Sequence, residues 1–407
     1  EIRKNGEAKV LEYTSNENTI LLILDALLTD QENRIQYYLA VYAYKVIKDF
    51  WVDLKSEMRD EVRNYIMRIL SDVTFSEDVT NIFLDSVQHI YSNDETRWPD
   101  LIEFIQSING SPLCLMISKK IILEMHSEDI ESSKDYFMQL SLQAMISDDL
   151  NTQLLGVSIF HNYVCRAFVD DISLESGDHV VALVQILAIC QQFNFEQMIT
   201  VWSCVNDISI YDCIPNEILP QIIEMAIQIS QNKELDPNIR FVPIDALSPK
   251  VDCLTEENII NIFMSSIDIT ASMIEVENNI DEISLKPFNV IASMLDHKAL
   301  YPIIQSQIQA SFESDSLSHQ ISGLLIFKTL LERFPDLIYN EIDTVVNFIS
   351  SALSSEEDLL RESSLRVIQS FVDSYYSANT ITHNFVPLIF PNLLSPTPEV
   401  RLQAFKA

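Results

Sequence analysis

Seven histidines, six cysteines and the carboxylate pairs Asp148-Asp149 and Asp170-Asp171 carry the groups in this sequence best suited to ligate a metal or move a proton. Their spacing does not assemble them. His89, His126, His161, His179, His297, His319 and His383 never fall at the short intervals that put two imidazoles on one helical face. Cys114, Cys165, Cys190, Cys204, Cys213 and Cys253 form no CxxC or Cys/His ligand set. Each lies in or beside an apolar stretch, where a free thiol packs as a small hydrophobe. The two Asp pairs close helical stretches ahead of polar breaks, positions where carboxylates cap or meet solvent. No phosphate loop, dinucleotide-binding glycine motif or HExxH is present. No enzymatic activity, cofactor or metal is expected.

What remains is charge. The chain has 60 Asp plus Glu against 26 Lys plus Arg, a formal balance of −34. Between residues 167 and 232 there is no Lys or Arg at all, against nine acids. Such a surface repels phosphate backbones and anionic lipid and attracts basic partners, so no direct nucleic-acid binding is expected. The longest apolar run, Thr19–Leu28, is interrupted by Asp25 and too short to span a bilayer, so no membrane insertion is expected either. No signal peptide is visible, and unpaired cysteines fit a reducing compartment. A sequence that lacks an opening Met and stops inside the helical pattern of Arg401–Ala407 reads as a fragment of something longer.

The elements that carry these charges are helices. Five glycines serve 407 residues, far below the usual ~7% that strands, tight turns and phosphate loops require. Apolar residues recur at helical spacing in stretches of about 12–20 residues, separated by Ser, Asn, Asp, Gly and Pro breaks that suit helix caps. The stretches pair as 2–13 with 17–29, 33–50 with 56–71, 77–92 with 98–108, and 112–126 with 130–147. Then come 151–169 with 179–193, 195–211 with 216–232, 237–250 with 255–273, and 284–297 with 300–313. The last are 317–334 with 339–354 and 357–376 with 383–394, and an eleventh opens at 398. First helices share a faint opening, clearest in Pro398-Glu-Val-Arg401-Leu-Gln-Ala404 and echoed at Asp358–Ser364 and Pro237–Arg240. Gln320, Arg361 and Arg401 stand 41 and 40 residues apart, the HEAT period. One such pair cannot bury its own apolar face, so neighbours must stack. The expected fold is all-α, an α-α superhelix (solenoid) of about ten HEAT repeats.

The first hundred residues carry a more specific pattern. Ile2-Arg3-Lys4 through Leu11-Glu12, then Tyr37-Tyr38-Leu39-Ala40 through Phe50-Trp51-Val52-Asp53-Leu54, and then Arg97-Trp98-Pro99-Asp100-Leu101 resemble the opening repeats of the importin-β (karyopherin-β) family of nuclear transport receptors. Trp51, Trp98 and Pro99 are the family-pattern structural residues. Leu219-Pro220 through Asn232, Gly323–Lys328 and Ser351 through Val367 resemble later repeats of the long-importin branch, the importin-four and importin-five type.

That resemblance implies a transport receptor, in the cytoplasm, the nucleus and the nuclear envelope at the pore, acting as a monomer. It implies a single solenoid over 1–407. Within it, 1–108 would bind Ran, 109–274 would form middle repeats, 275–283 a short acidic loop, and 284–407 further repeats. Ran-GTP would meet the helices at 17–29, 56–71 and 98–108, with Arg59, Arg63 and Glu103 as contacts. Basic cargo would lie on an acidic concave surface lined by second helices, where Glu217, Glu224, Glu256 and Glu257 sit. Phe-Gly nucleoporins would bind outer grooves. The acidic loop maps to Glu275, Glu277, Asp281 and Glu282 and is shorter than the branch usually shows. Residues 37–59 also resemble exportins, and a HEAT scaffold outside transport shares the fold and acidity.

Overall fold

The computed structural model describes residues 19–30, 32–72, 75–93, 98–170, 176–192, 194–210, 214–277, 301–334, 342–374 and 379–407. Nineteen α-helices and no strand occur among the described residues. The expected helices at 2–13 and 284–297 lie outside them.

The chain packs as two compact units, Glu1–Gln192 and Phe193–Ala407. In the first unit the helices are α1 (Ile20–Thr29), α2 (Asn33–Phe50), α3 (Ser56–Ser71), α4 (Glu77–Asn93) and α5 (Pro99–Ser107). They are followed by α6 (Pro112–Ile121), α7 (Ser127–Met145), α8 (Leu150–Val169) and α9 (Ser176–Ile189). First helices form a run, α2 on α4, α4 on α6 and α6 on α8, and among second helices α1 packs on α3 and α7 on α9. This is how stacked hairpins shelter apolar faces that none could bury alone.

The second unit holds α10 (Phe195–Ile210), α11 (Leu219–Gln231), α12 (Pro237–Ala246), α13 (Glu256–Glu277) and α14 (Tyr301–Phe312). It continues with α15 (Leu317–Arg333), α16 (Ile342–Leu353), α17 (Asp358–Ser374), α18 (Asn379–Asn392) and α19 (Pro398–Lys406). First helices again form a run, α15 on α17 on α19, as do second helices α11 on α13 and α16 on α18. Its core threads Phe263, Phe312, Phe327, Phe371 and Phe385, with Phe312 stacked on the partly buried Phe348 at 4.1 Å.

Side-chain caps set the helix starts at Ser111, Asp149, Asp236 and Ser316. Ser111 accepts from the Cys114 N–H and Asp149 from the Thr152 N–H, opening α6 and α8. Gly110, at φ +76°, makes the turn ahead of α6 that a side chain would strain. Three expected helices end early; 179–193 begins at Ser176 and gives way after Ile189 to the 3₁₀ turn Cys190–Gln192. The stretch 112–126 tightens into a 3₁₀ turn at Ile122–Glu124, and 237–250 breaks after Ala246 into the 3₁₀ segment Ser248–Cys253. Pro249 explains the last: it has no N–H to donate, and it disfavours helical geometry at Ser248. The expected helix 383–394 starts four residues earlier, at Asn379, and runs through Pro387 and Pro391.

A shared side-chain lock explains the faint repeat. The fourth residue of a first helix reaches back six positions to a carbonyl in the preceding turn. Gln320 bonds Ser314 O at 2.7 Å, Arg361 bonds Ser355 O at 2.8 Å and Arg401 bonds Ser395 O at 2.7 Å. Gln36 and Gln153 do the same to Asp30 O and Ser147 O, at 2.8 and 2.6 Å. The lock satisfies carbonyls that the helix ends leave open.

Close approach is the other device. A Cβ added at Gly156 in α8 would stand 2.8 Å from the Ser141 carbonyl oxygen and 2.9 Å from Ala144 Cβ, both in α7. Gly156→Ala is therefore expected to destabilise by about 1–3 kcal/mol through overpacking, reversing the gain Ala ordinarily brings to a helix. Urea unfolding checks it: an unchanged or raised midpoint would show that α7 and α8 can separate freely.

Candidate partner-binding surfaces

The N-terminal site is built on two indoles. Trp51 opens a 3₁₀ turn after α2, and Trp98 immediately precedes Pro99 at the start of α5. They are 1% and 4% exposed. Between them lies Arg63 of α3, its guanidinium carbon 5.9 Å from the Trp51 ring centre and 5.4 Å from that of Trp98. Arg59, one turn earlier, sits 5.9 Å from Trp51 and donates to Leu54 O at 3.0 Å and Val52 O at 2.7 Å. It thereby ties the turn that positions Trp51. A desolvated guanidinium over an indole face is favourable, and two faces hold it from both sides.

The expected contact residues thus divide. Glu103 is exposed on α5, and Arg59 is half-buried with its donors turned toward the 51–54 turn. Arg63 is buried, at 8% exposure, so it shapes the α3 surface from beneath instead of forming it. Arg63→Ala is expected to cost about 2–3 kcal/mol, from two cation–π contacts and the buried stem. Lys should recover little, because a compact ammonium cannot lie flat between two rings. Thermal unfolding of both variants reads this out; full recovery by Lys would overturn the stacking account.

The acidic site lies in the second unit. Glu217 precedes α11, Glu224 is on its outer strip, and Glu256 and Glu257 form the first turn of α13, which packs on α11. All four are exposed. None joins an ion pair among the described residues; Glu224 accepts a hydrogen bond from Gln228 at 3.2 Å. Carboxylates at Glu256 and Glu257 suit the positive end of α13, and leave that end negative toward solvent.

Further along α13 the pattern changes. Asp268 accepts from Arg240 at 2.5 Å and Lys233 at 2.7 Å and lies 3.8 Å from His319 Nε2. His319, then Lys233 and Arg240, hold its carboxyl well below the ordinary carboxylate range against the opposing effect of burial. The Arg240 side chain is 2% exposed and also bonds Ser230 O at 2.9 Å. Nothing in the expected site included Asp268. Its signal was a lone charge inside the apolar run Ile267–Ile269, which asks for a cation within reach.

Of the expected acidic loop, Glu275 lies in the last turn of α13 and accepts from Ser318 at 2.5 Å, joining α13 to α15. Glu277 is the last residue of α13, and nothing is described of its side chain; Asp281 and Glu282 lie outside the described residues.

The described residues define an all-α array of stacked helical hairpins, a HEAT-type superhelix. Among the solved structures it resembles are several of one karyopherin, Kap121p. Kap121p bound to Ste12p matches with a TM-score of 0.78 at 14% identity, covering 100% of this chain and 42% of that one. Kap121p bound to Pho4p gives 0.76 at 13%, covering 95% and 41%, and Kap121p bound to Nup53p gives 0.74 at 14%, covering 95% and 40%. The chain spans about two fifths of their length. At these identities the likeness is one of fold. No family model and no curated protein matches the sequence.

Proposed function

We propose that this chain is part of a nuclear transport receptor of the importin-β class, of the long-importin branch. In this reading it carries basic cargo on the exposed acids of its second helices and moves between cytoplasm and nucleus through the pore. The observation that carries the reading is the pairing of a karyopherin fold over nearly the whole chain with four exposed acids outside any ion pair, on or just ahead of the adjacent helices α11 and α13. Kap121p has been solved with Pho4p, with Ste12p and with Nup53p, which supports cargo and nucleoporin partners for a chain of this fold. The chemistry is binding without catalysis. A basic segment gains from several charge-assisted contacts, and Ran-GTP on α1, α3 and α5 would shift the register of the stack and release it.

The test is a lysine-rich localisation peptide titrated at rising salt, followed by addition of Ran-GTP. Binding should weaken steeply between about 50 and 500 mM salt, as screening shortens the reach of the charges. Ran-GTP should be retained by the chain and displace the peptide. Salt-independent binding would remove the charge mechanism, and failure to retain Ran-GTP would leave a HEAT scaffold outside transport. Cargo that binds only with Ran-GTP present would make the receptor an exportin.

A further inference from the structure

The turn leading into α19 reads Ser395-Pro396-Thr397-Pro398. A hydroxyl residue followed directly by Pro is the recognition unit of proline-directed kinases. The two hydroxyls are not equivalent. Ser395 is buried, at 7% exposure, and accepts from the Thr397 N–H at 3.3 Å. Thr397 is half-buried between Pro396 and Pro398, both exposed.

Thr397 stands at the N-cap of α19, yet its side chain makes no bond to that helix's own N–H groups. Its Oγ1 donates instead to Asp358 Oδ2 in the first turn of α17, one repeat back. The other Asp358 oxygen is held by Arg361. Arg401 bonds the turn carbonyls of Ser395 and Pro396 at 2.7 and 2.8 Å. Arg361 keeps a buried Nε–H without a hydrogen-bond partner. A hydroxyl that ties two repeats therefore shares its carboxylate partner with Arg361, follows the two turn carbonyls that Arg401 holds, and precedes a kinase-type proline.

We propose that Thr397 is a phosphorylation site for a proline-directed kinase, and that its modification cuts the Asp358–Thr397 tie between α17 and α19. The kinase transfers the γ-phosphoryl group of a nucleoside triphosphate. A bond forms between Thr397 Oγ1 and phosphorus, the bond from that phosphorus to the bridging oxygen breaks, the nucleoside diphosphate leaves, and the hydroxyl proton is released. The esterified Oγ1 has no hydrogen to donate, and the phosphate carries a charge of about −1.5 to −2 near neutral pH. Facing the Asp358 carboxylate, it repels where the hydroxyl attracted. Arg361 and Arg401 are the groups positioned to take the phosphate, which draws Arg361 away from Asp358 as well.

The experiment treats the full chain with a proline-directed kinase and ATP, maps the phosphate by mass spectrometry and follows amide hydrogen exchange. A synthetic peptide covering 391–403 serves as a control substrate. Phosphate should appear on Thr397, and exchange in 398–406 should rise about tenfold as the tie opens. Pro398→Ala should abolish incorporation. Asp358→Asn should still be phosphorylated, with a smaller rise on modification because the repelling carboxylate is gone. A phosphorylated peptide beside an unmodified chain would overturn the proposal, as the fold would then close the site. Phosphate on Thr397 with unchanged exchange, or an equal rise in Asp358→Asn, would overturn the switch.

Discussion

Replacing Arg240 by Ala should cost the second unit about 3 kcal/mol of stability. Breaking a buried ion pair from one side typically costs about 3–5 kcal/mol, because the partner charge stays buried without compensation. The lower end applies here, since Asp268 still touches solvent and keeps Lys233. The loss also removes the bond to Ser230 O and the 3.5 Å contact to Ser272 Oγ on α13. Guanidinium chloride unfolding measures it, and a loss below about 1 kcal/mol would mean that solvent replaces the guanidinium. Changing both partners, Arg240→Met with Asp268→Leu, should recover much of the loss because no charge is left stranded.

The same node predicts an acid limb. The folded Asp268 carboxyl is held below its unfolded value of 3.8. Its contribution is therefore fully present above that value, begins to fall as pH drops below it, and is lost as pH passes its lower folded value. In Asp268→Asn this limb should vanish, flattening the stability profile below pH 4 relative to the parent. A parent and variant with parallel profiles there would show that Asp268 is not held down by its cations.

The second large effect concerns binding. Reversing Glu217, Glu224, Glu256 and Glu257 together to Lys should weaken a lysine-rich peptide by about a thousandfold, taking roughly 1 kcal/mol for each lost or inverted contact. The melting temperature should hardly move, since exposed side chains outside ion pairs contribute little to folding. That contrast separates a binding role from a structural one. Undiminished affinity in a folded quadruple variant would place the basic partner elsewhere.

Helix periodicity carried most of the architecture: α2 at 33–50 and α3 at 56–71 begin and end where the sequence places them, though neither has a side-chain N-cap bond. The fourth-position lock was only half visible. Arg361 and Arg401 stood out as charges at a forty-residue interval, whereas Gln36 and Gln153 do the same work without charge and blend into a polar helix start. Arg63 illustrates a different limit. On α3 it reads as a surface cation, and nothing local reveals that Trp51 and Trp98 approach it from both sides. Glu217, Glu224, Glu256 and Glu257 were legible through the resemblance, and all four are exposed. Asp268 was not legible, because its partners come from three separate places in the sequence.

A side chain that fastens to a carbonyl six residues behind it belongs, with its anchor, to one cassette. Copying or deleting a whole cassette keeps every such staple intact, so an ancestor could lengthen or shorten without reinventing its corners. Bonds such as Thr397 to Asp358 and Ser318 to Glu275 obey the opposite rule, since they are shared between cassettes and are severed by any excision that falls between them. Lineages that shed or gain repeats are thus expected to preserve the first kind everywhere and the second only where neighbours have stayed together.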